Sequence, residues 1–252
     1  MGRVTISNAG HDEYALRRIV CDDGLDQEHG HQASTMVVSA SNDSNVSHTE
    51  ALHAFKEFTT FLKNAEHLSL SQRSPSSKRT TPHRHTFFSP STPVHRLLTT
   101  SSHTSPITRI QRSCRLACLI FLNAALWSFR KSPPKTSQFL ASLSAKILEH
   151  GLDQNISLES FTLTLLDGVD NELHREAWIW FTGRMVNVAK RLERESWDKV
   201  KELLMSCLTL QGPRGDLLDG HTSLGFLDWE DDLMVELLEA PLSCDELAPA
   251  FR

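Results

Sequence analysis

RLACLIFLNAALWSFR, residues 115–130, is the most apolar run of the chain, and the fold is read outward from it. Fourteen residues stand between its two terminal arginines, and only Asn123 and Ser128 interrupt their apolar character. As a helix the run spans about 21 Å at ~1.5 Å per residue, short of the ~30 Å hydrocarbon core of a bilayer. It therefore predicts a buried helix and not a membrane span. The flanking sequence continues the pattern. A helix is expected over about Pro106 to Lys131. Ser132 is the candidate N-cap of the next, with Pro133 in its first turn, where a missing N–H costs nothing. That helix carries Phe139, Leu140, Leu143, Ile147 and Leu148 and stops at Gly151, a residue suited to the left-handed position after a helix end. A third is expected from Ser157 to about Gly168, with Leu158, Phe161, Leu165 and Leu166. A fourth runs from about Asn171 to Glu193, on the stripe Trp178, Phe181, Met185, Val188, Ala189 and Leu192. A fifth follows Ser196, with Trp197, Val200, Leu204, Cys207 and Leu208, and Gln211-Gly-Pro-Arg-Gly215 breaks it. No strand pattern competes. The fold class expected is mainly α: a helical bundle of five to seven helices, with residues 106–210 as its helical domain.

Upstream, residues 1–46 are rich in Asp, Ser, Asn and Gly and lack periodicity, so they are expected to form a disordered tail. Ser47 and Glu50 have capping-box spacing. Leu52, Phe55, Phe58, Phe61, Leu62, Ala65 and Leu68 then recur in steps of three and four, which predicts an amphipathic helix over residues 47–70. Its apolar stripe needs a partner surface. Either it packs on the main bundle or it is a docking segment. Of the 36 residues from Ser71 to Pro106, 21 are Ser, Thr or Pro, and residues 71–105 are expected to form a disordered basic linker. Ser74, Thr81, Ser89, Thr92 and Ser105 each precede a proline, making them candidates for proline-directed phosphorylation. Each phosphate would add about −1.5 to −2 charge to a basic stretch.

The charge is unevenly placed. The net charge of −5 averages an acidic start, a middle from His67 to His150 with twelve Lys or Arg against the single acid Glu149, and an acidic end. Residues 211–252 hold ten acids and two bases. Within that end Phe226, Trp229, Leu233 and Leu237 fall at helical spacing among six acids. This is the composition of an amphipathic activation segment, whose apolar face a partner groove would take. The same spacing also suits a last helix docked on the domain. The four residues are the candidate partner-binding positions.

Catalytic motifs are not found. There is no phosphate-binding loop, dinucleotide fingerprint, nucleophile elbow or H-E-x-x-H pair, so no catalytic residue, cofactor or metal ligand is nominated, and a non-enzyme is expected. Five scattered cysteines, an odd number, point to reduced thiols in an intracellular protein. Cys114 and Cys118, one turn apart, read as core residues, as do Trp178 and Trp180. His83, His85, His95 and His103 read as solvated linker residues. Met1 to Cys21 has no stretch of signal-peptide length, and Ile6 breaks the myristoylation pattern that Gly2 would open, so neither secretion nor a membrane anchor is expected. The bases of the middle are scattered and lack a stacking platform beyond Phe87 and Phe88, which argues against direct nucleic-acid binding.

Three stretches carry a resemblance: residues 115–130, KILEHGLD (146–153) and AWIWFTGRMVNVAKRLERESWDKVKELLMSCL (177–208). In phrasing and order they resemble the C-terminal helical region of fungal-specific transcription-factor-like proteins, over about Arg109 to Leu210. That family pairs a helical regulatory region with a binuclear zinc module built on six closely spaced cysteines. Only Cys21 lies in the first hundred residues here, so the DNA-reading module is absent and no functional residue carries over. The resemblance implies a nuclear, transcription-related regulatory protein that acts through protein partners such as a coactivator or a transcription factor. The alternative is a non-catalytic helical scaffold or a degenerate remnant of the family.

Overall fold

The computed structural model describes residues 43–73, 82–99, 109–167, 175–192 and 194–211. Among these the fold is all-helical, with eight helices: α1 (Asp43–Arg73), α2 (Pro82–Phe87), α3 (Pro93–Thr99), α4 (Arg109–Ser128), α5 (Pro133–Glu149), α6 (Leu158–Leu166), α7 (Arg175–Ala189) and α8 (Arg194–Thr209). None of them is long and apolar enough to cross a membrane.

Helix α4 is the axis of the bundle. Every residue from Ser113 to Leu126 is buried, which leaves it no solvent face over almost four turns. An α-helix apolar all round must be enclosed. Accordingly α1, α3, α6, α7 and α8 all pack on α4, while α5 bridges α2 and α6. Two polar side chains tie the axis to its shell. The Asn123 amide donates to Leu119 O in its own helix at 2.9 Å and to Leu204 O of α8 at 3.1 Å. Cys118 Sγ lies 3.2 Å from Thr162 Oγ1 of α6.

Helix α1 joins this core. Phe55, Phe58, Phe61, Leu62, Ala65 and Leu68 are buried, and α1 packs on α4, α7 and α8. Of the two readings of its stripe, packing on the main bundle is the one realised. The helix starts at Asp43, so Ser47 lies inside it and not at its N-cap.

Other sequence signals act as expected. Ser132 is the N-cap of α5 by position, although its hydroxyl makes no capping bond. Gly151 has φ +62°. There Leu152 N donates to Ile147 O at 2.9 Å and Gly151 N to Leu148 O at 3.1 Å, the paired bonds that close a helix with a left-handed residue. Ser157 accepts from Ser160 N at 3.2 Å and caps α6. Leu148 is a correction: it projects outward, 65% exposed, because it lies off the stripe set by Phe139, Leu143 and Ile147.

The larger correction concerns the expected linker. Pro82 to Thr99 is not a disordered spacer but packed structure, and Phe87, Phe88, Val94, Leu97 and Leu98 enter the common core. Proline stands at the head of both short helices, where it starts a helix instead of breaking one. Thr92 caps α3: its Oγ1 accepts from His95 N at 3.3 Å and donates to Ser89 O at 2.8 Å. The Ser/Thr/Pro composition conceals five closely spaced apolar anchors that bury enough surface to hold the segment. The domain is therefore wider than 106–210 and includes both 43–73 and 82–99.

Phe88, 1% exposed, should thus be as costly to truncate as a residue of the long helices. Phe88→Ala is expected to destabilise the fold by about 3–5 kcal/mol, as Phe58→Ala would in α1. Thermal unfolding followed by circular dichroism checks this, and an unchanged melting temperature for Phe88→Ala would detach residues 82–99 from the core.

Candidate functional site

Among the described residues an open groove of about 480 Å³ runs between α1, α4 and α7. Its floor is apolar and aromatic: Phe61 from α1, Ala124 and Trp127 from α4, Ala177, Trp178 and Phe181 from α7. The rings brace each other edge to face. Phe61 and Phe181 lie 5.7 Å apart, Trp178 and Phe181 6.4 Å, and Phe121 supports Trp178 from below at 5.9 Å. Each aromatic is presented by a helix whose other face is core, so the floor is rigid.

The rim is polar. His53, Lys56, Glu57, Thr60 and Asn64 stand along α1 and Ser128 ends α4. Arg184 Nε of α7 pairs with Glu57 Oε2 at 2.8 Å, and His53 Nδ1 sits between them, 3.4 Å from Glu57 Oε1 and 3.3 Å from Arg184 Nη2. The Arg184 guanidinium also lies 5.3 Å from the ring of Trp180. At the opposite edge the Arg130 guanidinium stacks 3.9 Å over Trp127 and donates to Trp127 O. Among the described residues Lys56 thus lines the groove, with Arg184 and Arg130 beside it against Trp180 and Trp127, and Glu57 is the carboxylate on the rim. Trp180 is a correction to the sequence reading. It is 54% exposed beside the groove, because it lies two residues from Trp178 and so on a different face of α7.

A second polar cluster lies at the far end of α1. Arg84 is buried, donates to Cys207 O at 2.5 Å and to Gln72 Oε1, and leaves its Nε without a hydrogen-bond partner. Burial pulls its guanidinium down to about 10, with little help from neighbours. Arg73 beside it donates to Ser69 Oγ at 2.7 Å and to Gln211 O, and Glu66, half-buried, has its carboxyl raised by desolvation that Arg73 only partly offsets. This cluster joins α1, α2 and α8. It is a structural clasp.

The three cysteines among the described residues sit in the core. Cys114, Cys118 and Cys207 are free and buried. Desolvation raises all three thiols, that of Cys207 to about 12. Among the described residues no group of three His, Cys, Asp or Glu could hold a metal ion. His83 and His85 are exposed and His95 half-buried, and they converge on nothing. Of the phosphorylation candidates, Ser89 is half-buried and Thr92 uses its hydroxyl as the α3 cap. Ser74, Thr81 and Ser105 lie outside the described residues, as do the partner-binding candidates Phe226, Trp229, Leu233 and Leu237.

Sequence reading does not find the groove, since its walls come from segments some seventy and fifty residues apart. The one usable signal is the cluster of aromatics at 178–181 beside Trp127 at the end of the apolar run. Comparison with protein-family models, with curated proteins and with solved structures finds no match for this chain.

The thiols give a direct test of the packing. At pH 8 alkylation of Cys114, Cys118 and Cys207 in the folded protein is expected to be at least ~100-fold slower than in denaturant, read by peptide mass spectrometry. The Cys207 thiol keeps its proton longer folded than unfolded. Its contribution to stability is therefore complete below pH 9 and is lost as the pH rises from 9 to about 12.

Proposed function

We propose that this chain is a transcription-related regulatory protein that acts through protein–protein contacts, without catalysis and without a DNA-binding module of its own. The observation that carries this reading is the groove between α1, α4 and α7: a braced aromatic floor with a cationic rim. Such a surface suits an amphipathic acidic helix. Apolar side chains seat on the floor, each worth about 1.5–3 kcal/mol if fully buried, and acids meet Lys56, Arg130 and Arg184. Charge on the rim sets partner choice and on-rate more than affinity. The resemblance of residues 115–130, 146–153 and 177–208 to the helical region of fungal transcription factors supplies the regulatory setting, and with it a nuclear location. The acidic end of the chain, with Phe226, Trp229, Leu233 and Leu237 among six acids, supplies a segment of the composition that coactivators take up.

Fusing residues 211–252, and separately the whole chain, to a neutral DNA-binding domain over a reporter tests this. Residues 211–252 are expected to raise reporter output several-fold, and replacing Phe226, Trp229 and Leu233 together by Ala is expected to abolish the rise. Silence from both fusions at normal expression would remove the transcriptional reading and leave a helical scaffold.

A further inference from the structure

We infer that the groove between α1, α4 and α7 is covered in cis by the chain's own segment 226–239, FLDWEDDLMVELLE, so that body and acidic end hold each other in a closed state. This rests on the reading of the groove as a docking surface and names its occupant.

Three observations support the assignment. The first is reach. The described chain ends at Gln211, whose carbonyl accepts from Arg73 at the end of α1 and from Ser206 Oγ at 2.6 Å. The near end of the groove, Asn64, lies nine residues back along α1, or about 14 Å at ~1.5 Å per residue. Residues 212–225 number fourteen and can extend to as much as ~46 Å at ~3.3 Å each, long enough to bring the segment to the groove. The second is length. The α1 wall from His53 to Asn64 and the stripe from Phe226 to Leu237 each span eleven residue steps, about 16 Å in a helix. The third is charge. Segment 226–239 carries six acids and no base; among the described residues the groove is lined by Lys56, Arg130 stacks on its wall residue Trp127, and the lining carboxylate of Glu57 is already paired to Arg184. The Lys56 ammonium is exposed and makes no ion pair among the described residues.

Tethering favours closure further. A connection of this length supplies an effective concentration on the order of 1 mM. An intrinsic dissociation constant of roughly 50 μM would then leave about 95% of molecules closed. A partner that captures the segment must first compete with the groove, so the body acts as a built-in brake on its own acidic end.

The experiment uses the full chain with a benzophenone photo-cross-linker at position 229. The expected product is an intramolecular cross-link to peptides containing Thr60, Trp127 or Trp178. Lys56→Glu with Thr60→Glu, two exposed positions on the rim, should lower its yield at least fivefold, with circular dichroism and melting temperature unchanged. Raising salt from 50 to 500 mM should also lower the yield, because the charge contribution is screened. Cross-links to other parts of the body, cross-links between copies that grow with concentration, or a yield indifferent to the double charge reversal would each overturn the inference. The readout is independent of the reporter. A silent tethering assay with a groove cross-link removes the transcriptional reading and leaves cis closure standing. Activation with no groove cross-link does the reverse.

Discussion

A helix with no solvent face dictates the rest of this structure. From Ser113 to Leu126 α4 buries every side chain, and its backbone is satisfied internally, so the remaining requirement is cover on all sides. Five helices supply it. Because consecutive helices cannot surround their neighbour by short hairpins alone, the cover draws on distant parts of the chain: α1 from upstream, the short α3, and α6 to α8 from downstream. This explains why α1 is fixed to the bundle despite a 35-residue gap between Arg73 and Arg109. Without it Ala124 and Ala125, and the apolar stripe of α1 itself, would face water.

Cover by dispersion alone is poorly directional, and the polar contacts at the axis supply register. Asn123 spans from its own helix to Leu204 O of α8, and Cys118 meets Thr162 of α6. A buried amide that loses its partner is left with a desolvation penalty of ~1–3 kcal/mol, so α8 is held in one register along α4. The Arg84 clasp does comparable work at the other end. A buried guanidinium with no carboxylate is tolerable only because it closes the free carbonyl of Cys207 at the end of α8 and meets Gln72 of α1. The cost shows in its lowered proton affinity. These contacts use polar atoms to fix geometry.

How much was legible in the sequence follows from the same physics. Long periodic segments announce themselves, because each must bury one face: the six long helices stand where their stripes predict, displaced at their ends by a few residues. Cys114, Cys118 and Cys207 read as core and are core. What failed was composition used in place of pattern. Residues 82–99 are poor in apolar residues on average, but Phe87, Phe88, Val94, Leu97 and Leu98 need only two short turns to reach the core, and local averages cannot see so few anchors. Arg84 offered no signal, since an arginine in a basic Ser/Thr/Pro stretch looks solvated until the fold places it under α8. Trp180 shows the converse, since aromatic character suggested burial where position on the helix decided exposure.

The groove belongs to neither category. It exists because α1, α4 and α7 meet at a site where the contributing side chains are too large and too flat to interlock completely. Phe61, Trp178 and Phe181 brace one another edge to face, and Trp127 closes the end under Arg130. Trp127, Trp178 and Phe181 are only partly buried, and the ring surface they leave open is what a further helix can use. The cations around it do not stabilise the body much, since exposed charge pairs contribute little. Their placement makes physical sense as a filter on what may lie across the rings, and the most acidic apolar segment within reach is the one this chain carries after Gln211.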